Sequence, residues 1–192
     1  MLLYISSLTF SLLVVGTDVR EFLLDGGDAN GKNKIIAVDL RKDFIELGQT
    51  LFKGPTPGIE FRSANLLDPS DKTLDDVKGK VTLLYTGAVF HLFGEEDQRT
   101  FAEQINTLLA KTGEVVVYGL HRGAQKKGYR GSHHRGGIPF AHDPESWKEL
   151  WTQVLGEDAK NWTFNAALRY TWTAAEYVDE NTPVLQWSLW RK

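Results

Sequence analysis

Residues 81–120 read VTLLYTGAVFHLFGEEDQRTFAEQINTLLAKTGEVVVYGL and contain a strand, a loop, a helix and a second strand in succession. The segments 81–86 and 114–120 are near-continuous apolar runs, which are typical of strands buried on both faces of a parallel sheet. Between them, residues 95–110 begin with three acidic side chains, which complement the positive end of a helix, and then repeat apolar residues at helical spacing. This stretch therefore predicts a β-α-β unit that joins two parallel strands.

The same alternation of strands and helices extends in both directions from this unit. Upstream, the pattern predicts strands at 34–39 (KIIAVD) and 59–64, helices at 18–25 and 42–52, and a helical turn within 69–80. Downstream, Asp143 as N-cap and Pro144 at the first helical position begin a helix that runs to Leu155. Strand-like segments at about 162–170 and 184–190 close the chain. This order predicts a doubly wound α/β fold, with residues 1–192 forming a single domain.

Composition and motifs exclude several functional classes. The 192 residues are 42% hydrophobic and 24% charged, and 22 basic against 25 acidic residues give a formal charge of −3. No overall basic field exists to hold nucleic acid. Because cysteine is absent, disulfides, thiolate metal sites and cysteine nucleophiles are excluded. The chain also lacks the Walker A, G-x-S-x-G and H-E-x-x-H motifs, which excludes the commonest P-loop NTPases, α/β-hydrolases and zinc proteases.

Residues 1–17 (MLLYISSLTFSLLVVGT) carry no charge, and three interpretations compete for them. A membrane span requires about 20 mostly apolar residues, and several Ser and Thr side chains interrupt this shorter run. A signal peptide has basic residues ahead of its apolar part, and none is present. An apolar run closed by Gly16 is typical of a buried strand. We therefore favour a first strand at about 10–15, and we expect a cytoplasmic protein without a membrane partner.

In a doubly wound sheet, ligands bind at the carboxyl ends of the strands, so the residues that follow each strand are candidate site residues. Gly16 permits either a tight turn or the close approach of a ligand. Asp39 can accept both hydroxyl groups of a ribose, or it can cap the following helix. Asn65 can bind an adenine amino group, or it can form a turn. His91, in the loop after the fourth strand, is a candidate base or a structural histidine.

The glycine-rich loop 122–137 (RGAQKKGYRGSHHRGG) holds five basic residues and no acid. It is open to three interpretations: a mobile lid over a site, a nucleic-acid contact of the RGG type, and an ordinary surface loop. The adjacent His133 and His134 have no carboxylate beside them, so we do not expect a metal site there.

Taken together, the strand exits resemble those of class I S-adenosylmethionine-dependent methyltransferases. They are most similar to the small fungal enzymes that O-methylate terpenoid or polyketide acids and alcohols. The segment 16–20 (GTDVR) resembles the tail of the family's first motif, and 35–40 (IIAVDL) resembles its second. The segment 89–98 (VFHLFGEEDQ) resembles the stretch after strand 4. The segments 63–68 (SANLLD) and 138–147 (IPFAHDPESW) are similar to the adenine-side and acceptor-side segments.

The resemblance implies a Rossmann-like sheet of seven strands in the order 3-2-1-4-5-7-6, S-adenosyl-L-methionine as the cofactor and a small-molecule acceptor. It implies neither a metal nor a nucleic-acid partner. The implied cofactor-binding residues are Gly16, Asp18, Asp39, Leu40, Asn65, Leu66, Thr86 and Gly87. His91 and His142 are candidates for a catalytic base or for orienting the acceptor, and the candidate walls of the acceptor pocket are Phe90, Phe93 and Tyr129.

The sequence departs from the family at the glycine-rich first motif. Aligned on Gly16, the two earlier glycine positions are Leu12 and Val14, whose side chains occupy the space where backbone amides approach the cofactor. The helices that precede strand 1 in the family also have no counterpart. We therefore expect residues 1–15 to be a replaced or mispredicted stretch of an N-terminally incomplete domain. Two functions stay open: an active methyltransferase, and an inactive relic or interaction module that has lost cofactor binding. A secreted binding protein fits least well.

Overall fold

The computed structural model describes residues 9–13, 20, 34–54, 56–131, 138–169 and 183–192. The strands in these ranges are β1 (Thr9–Leu13), β2 (Lys34–Asp39), β3 (Ile59–Ser63), β4 (Leu83–Gly87), β5 (Val115–Arg122), β6 (Gly128–Tyr129), β7 (Phe140–Ala141), β8 (Trp162–Arg169) and β9 (Val184–Arg191). The α-helices are α1 (Lys42–Leu51), α2 (Glu95–Leu108) and α3 (Pro144–Leu155), and short 3-10 turns span Asp75–Val77, Phe90–Leu92 and Gly156–Asn161.

Seven strands form one sheet in the order β3-β2-β1-β4-β5-β9-β8, while β6 and β7 pair separately as a small antiparallel ribbon. The first five strands of the sheet are parallel, and β9 and β8 complete it in antiparallel pairings. Numbered along the chain, the strands of this sheet read 3-2-1-4-5-7-6. The strand order reverses between β1 and β4, which is the point where such sheets bind ligands.

Several elements lie where the sequence pattern predicts them. The run KIIAVD is confirmed as β2, in which residues 35–38 are all buried. The N-terminus of α3 has the capping box that stabilises a helix start: Ser146 N donates to Asp143 Oδ1 at 2.8 Å, and Asp143 N donates to Ser146 Oγ at 3.1 Å. Of the predicted helix at 18–25 only Arg20 is among the described residues, and residues 14 and 15 of the predicted first strand lie outside them.

Helix α1 forms where predicted, but its apolar stripe is not buried. Ile45 is buried, whereas Phe44, Leu47, Leu51 and Phe52 are between 42% and 71% exposed. The spacing of apolar residues predicts a helix because it matches the helical repeat. Whether that face is buried depends on which elements pack against it. The described elements leave this side of α1 open.

The main core lies between one face of the sheet and the helices α2 and α3. Three of its four tryptophans, Trp147, Trp151 and Trp187, pack around Phe90. Strand β5 lies very close to β4 because Gly119 has no side chain: a Cβ there would lie 2.1 Å from the backbone oxygen of Thr86. Among the described residues, no helix is both long and apolar enough to cross a membrane.

Candidate functional site

The carboxyl ends of β1, β2 and β4 meet at one edge of the sheet. Leu13, the last residue of β1, pairs with Val38 on one side and with Thr86 on the other. Asp39 follows Val38 at the end of β2, and Gly87 follows Thr86 at the end of β4. The structure therefore brings these predicted cofactor-binding residues to the switch point of the sheet. Gly16 and Asp18, which the sequence also assigns to the cofactor, lie outside the described residues.

The carboxylate of Asp39 takes part in the start of helix α1. Its Oδ1 accepts a hydrogen bond of 2.8 Å from Arg41 N, and its backbone oxygen accepts one of 3.0 Å from Ala64 N. The N-cap of α1 is Arg41, without a side-chain cap, so Asp39 holds the residue at which the helix begins and does not cap the helix itself. Leu40, the next residue, is 64% exposed at the same edge.

Asn65 holds the loop that follows β3. Its Oδ1 accepts a 3.0 Å hydrogen bond from Leu67 N, and its backbone N–H donates to Asp71 Oδ2 at 2.7 Å. That second bond is the main reason why the pKa of the Asp71 carboxyl is lowered. The structure therefore shows the turn-forming role of Asn65, and it places Leu66 in the hydrophobic core.

Two features at the end of β4 distinguish it from an ordinary strand end. The hydroxyl of Thr86 is buried, and in the described part of the chain it has no hydrogen-bond partner. Ala88 has a φ of 54°, a conformation that is rare for residues with a side chain, and its N–H donates to Leu120 O at 2.7 Å. Unpartnered buried polar atoms and strained backbone are typical of ligand sites. Neither feature could be read from the sequence.

Three histidines interact electrostatically beside this edge. Gly87 pairs with Leu120, so His121 lies one residue beyond it on β5. Burial lowers the pKa of His121 to about 3, with further lowering by His91 and His142. The pKa of His142 is lowered to about 4, mainly by burial, and burial also lowers that of His91. The structure therefore brings the two predicted catalytic residues together with a third histidine, and all three imidazoles are neutral at pH 7.

A series of ring contacts connects this cluster to the surface. Tyr129, which is 59% exposed on β6, lies 5.1 Å from Phe140 between ring centroids. Phe140 lies 4.9 Å from His142, His142 lies 5.4 Å from Trp147, and Trp147 lies 4.6 Å from His121. Tyr129 thus stands at the outer end of a continuous aromatic path that ends at the buried imidazole of β5.

Phe90, which the sequence predicts as a wall of an acceptor pocket, has a fully buried ring beside the rings of His121 and Trp147. It packs edge-on against Phe101 and Trp147, with centroid distances of 5.0 and 4.7 Å. The 3-10 turn Phe90–Leu92 directs this ring into the core, where it supports the site from behind. Phe93, three residues later, is only partly buried and packs at the edge of the core.

Gln98 and His121 are site residues that sequence reasoning missed. Gln98 is fully buried in α2, and its Nε2 donates to the backbone oxygens of Phe93 and Phe140 at 3.0 and 2.7 Å. In the sequence, each of them could have been recognised as a polar residue on the buried face of its helix or strand. Gln98 lies one turn before Phe101 and Ala102, and His121 continues the inward series that Val115 and Val117 begin.

Within the described ranges, no three histidine or acidic side chains are grouped so as to hold a metal ion. An open groove of about 520 Å³ lies against the antiparallel side of the sheet, lined by Tyr85, Tyr118 and residues of β8 and β9. None of the predicted site residues lines it.

No protein-family model matches the chain. Curated fungal proteins do match. O-methyltransferase phiE, from a fungal species (strain ATCC 74256), is 30% identical over 149 residues, which cover 77% of this chain and 49% of phiE. Methyltransferase adrK of Penicillium rubens is 29% identical over 161 residues, covering 80% of this chain and 56% of adrK. The chain therefore spans about half the length of the curated relatives it matches.

Solved structures share the fold at low sequence identity. A 1,6-didemethyltoxoflavin-N1-methyltransferase from Burkholderia thailandensis, solved with S-adenosylhomocysteine, superposes with a TM-score of 0.62 at 13% identity, covering 97% of this chain and 72% of that one. An S-adenosylmethionine-dependent methyltransferase from Anabaena variabilis gives a TM-score of 0.63 at 15% identity, covering 96% and 76%. At these identities the likeness concerns the fold alone.

Proposed function

Because the chain is a relative of fungal methyltransferases and has the Rossmann-like fold of class I S-adenosylmethionine-dependent methyltransferases, we propose that it transfers a methyl group from S-adenosyl-L-methionine to an oxygen atom of a small organic acceptor. We further propose an acceptor of the terpenoid or polyketide type and a single methyltransferase domain spanning residues 1–192. The observation that carries the proposal is the meeting of the β2 and β4 ends, at Asp39 and Gly87, beside a cluster of buried imidazoles.

The polar residues of this edge fit the cofactor, whereas Leu12 of β1 stands where the family has a glycine. The buried hydroxyl of Thr86 has no partner in the described part of the chain, so a bound molecule can complete its hydrogen bonding. The carboxylate of Asp39 ends β2, where an acid can accept ribose hydroxyl groups. We assign cofactor binding to Gly16, Asp18, Asp39, Leu40, Asn65, Leu66, Thr86 and Gly87. When bound, S-adenosyl-L-methionine supplies an electrophilic methyl group on its sulfonium centre.

The protein's own contribution is to position the acceptor and to exclude water. Holding the acceptor oxygen in line with the methyl group converts an encounter between two molecules into a step within one complex. A base is needed only if the acceptor oxygen carries a proton. His142 and His91 are neutral at pH 7 and are the candidates for that base, while Phe90, Phe93 and Tyr129 are the proposed walls of the acceptor site. A base whose pKa is about 4 suits a carboxylic acid better than an alcohol.

The experiment that tests this function is a calorimetric titration of the full chain with S-adenosyl-L-methionine. We expect saturable binding in the micromolar range. Farnesoic acid and 2,4-dihydroxy-6-methylbenzoic acid then serve as acceptor probes, with the methyl ester detected by mass spectrometry. An inactive relic or interaction module gives no heat at millimolar cofactor, and that result would overturn the proposal.

A further inference from the structure

Five buried nitrogen atoms on neighbouring rings lack hydrogen-bond partners in the described part of the chain. They are His91 Nδ1, His121 Nε2, His142 Nε2, Trp147 Nε1 and Trp151 Nε1. Buried polar groups in native proteins are nearly always satisfied by protein or by bound molecules. His121 interacts electrostatically with His91 and His142, and its ring contacts Trp147, which in turn contacts Trp151. The five atoms therefore form one group and not five separate defects.

The protonation state of His121 follows from its contact with Trp187. The indole Nε1 of Trp187 lies 3.1 Å from His121 Nδ1, and an indole nitrogen can only donate a hydrogen bond. His121 Nδ1 must therefore accept, so the neutral imidazole carries its proton on Nε2. In a doubly protonated imidazolium, the Nδ1–H of His121 would face the Nε1–H of Trp187. The contact with Trp187 therefore keeps His121 neutral. The lowered pKa of this buried group agrees with that conclusion.

His121 and Trp147 consequently differ from the other two histidines. Each presents an N–H that can donate and cannot accept, whereas His91 and His142 can do either. Both side chains are 2% exposed, and their ring centroids lie 4.6 Å apart. Two unsatisfied donors on rings that are in contact match a ligand that offers oxygen lone pairs.

We propose that His121 and Trp147 bind the methyl acceptor, donating from His121 Nε2 and Trp147 Nε1 to a carboxylate or carbonyl oxygen of that molecule. Trp187 is a positioning residue that holds His121 in the donating tautomer. This inference rests on the proposed function, because it names the atoms that would orient the acceptor beside the bound cofactor.

The test uses nitrogen-15 and proton NMR of the full chain, with sodium benzoate as a carboxylate probe and sodium chloride at equal ionic strength as the blank. We expect His121 to be protonated at Nε2 without any ligand. On adding benzoate, the His121 Nε2–H and Trp147 Nε1–H resonances should move together and saturate. A proton on His121 Nδ1 would overturn the proposal, and so would the absence of any benzoate-dependent shift.

Two tryptophan variants separate positioning from general packing. Trp187→Phe keeps an aromatic ring in the core but removes the donor to His121, so we expect a mixture of His121 tautomers and benzoate binding weakened about tenfold. Trp190 lies in the same strand and is 43% exposed. The control Trp190→Phe should therefore change neither the tautomer of His121 nor the binding of benzoate. Unchanged benzoate binding and tautomer in a folded Trp187→Phe protein would refute the role of Trp187.

The cofactor titration separates a failure of the proposed methyl transfer from a failure of the proposed acceptor contacts. If S-adenosyl-L-methionine does not bind but benzoate shifts both resonances, the proposed function fails and a carboxylate site remains. If the cofactor binds and benzoate shifts neither resonance, the assignment of His121 and Trp147 is wrong and the methyl-transfer proposal stands.

Discussion

Gln98 in α2 donates a hydrogen bond of 2.7 Å to the backbone oxygen of Phe140 in β7, although 42 residues separate them in the chain. The same amide nitrogen donates to Phe93 O at 3.0 Å, and Phe140 N donates to Phe93 O at 2.9 Å. Gln98 thereby joins the loop after β4 to the ribbon that carries Tyr129 and precedes His142. This arrangement explains why the segment VFHLFGEEDQ ends in a polar residue that is fully buried.

Replacing Gln98 by Leu should detach this ribbon. The Phe140 carbonyl would lose a donor inside the protein, which costs about 1–3 kcal/mol of unfolding free energy. Urea unfolding measures that loss, and amide hydrogen exchange should show faster opening at residues 138–142. Gln153→Leu on the outer side of α3 is the matched control, because Gln153 is exposed. Equal stability and exchange in both variants would show that the Gln98 bonds do not hold the ribbon.

Replacing Asp39 by Asn should weaken cofactor binding at least about tenfold, which corresponds to about 1.4 kcal/mol of lost ribose recognition. Asparagine retains the oxygen that accepts from Arg41 N, so α1 should still form. Calorimetric titration with S-adenosyl-L-methionine measures the affinity. Asp43→Asn, which changes an acid in the first turn of α1, is the control and should bind normally. If Asp39→Asn also binds normally, the carboxylate does not contact the ribose.

Replacing Ala88 by Gly should relieve backbone strain at the switch point. A φ of 54° is unfavourable for alanine, and we expect a gain of up to about 1 kcal/mol in unfolding free energy. Lys53, with a φ of 59°, provides the matched substitution Lys53→Gly away from the site. Both variants should be at least as stable as the parent in urea, but only Ala88→Gly should lower cofactor affinity, because it loosens the end of β4. If both variants bind the cofactor equally well, the backbone strain at Ala88 does not contribute to cofactor binding.

The buried histidines should make the protein unstable in mild acid. In the folded chain the pKa values of His121 and His142 are about 3 and about 4, whereas an unfolded histidine titrates near 6.5. Between these values the unfolded state binds more protons, so stability is complete above about pH 6.5 and falls as the pH decreases toward 4. The slope should approach about 1.4 kcal/mol per pH unit for each histidine.

Urea unfolding between neutral pH and about pH 4 measures this slope. His142→Gln removes one of the two groups, so its slope should decrease by about one proton relative to the parent chain. A slope that is unchanged in the folded variant would mean that His142 is not held neutral by its surroundings.

The sequence by itself determined the elements whose causes are local. An apolar run bounded by polar residues is sufficient for β2, and Asp143, Pro144 and Ser146 together determine where α3 begins. The ends of the parallel strands also followed from the pattern, which is why Asp39, Thr86 and Gly87 could be chosen as candidates before any contact was known.

Only the tertiary structure decided burial and partnership. Among the described residues it leaves the apolar stripe of α1 exposed, and it places Phe90 in the core and joins His121 to Trp187, 66 residues later. The physical reason is that helix and strand formation depend on neighbours within a few residues. Whether a side chain is buried, which proton it carries and whether its hydrogen bonds are satisfied depend on what the fold places opposite it.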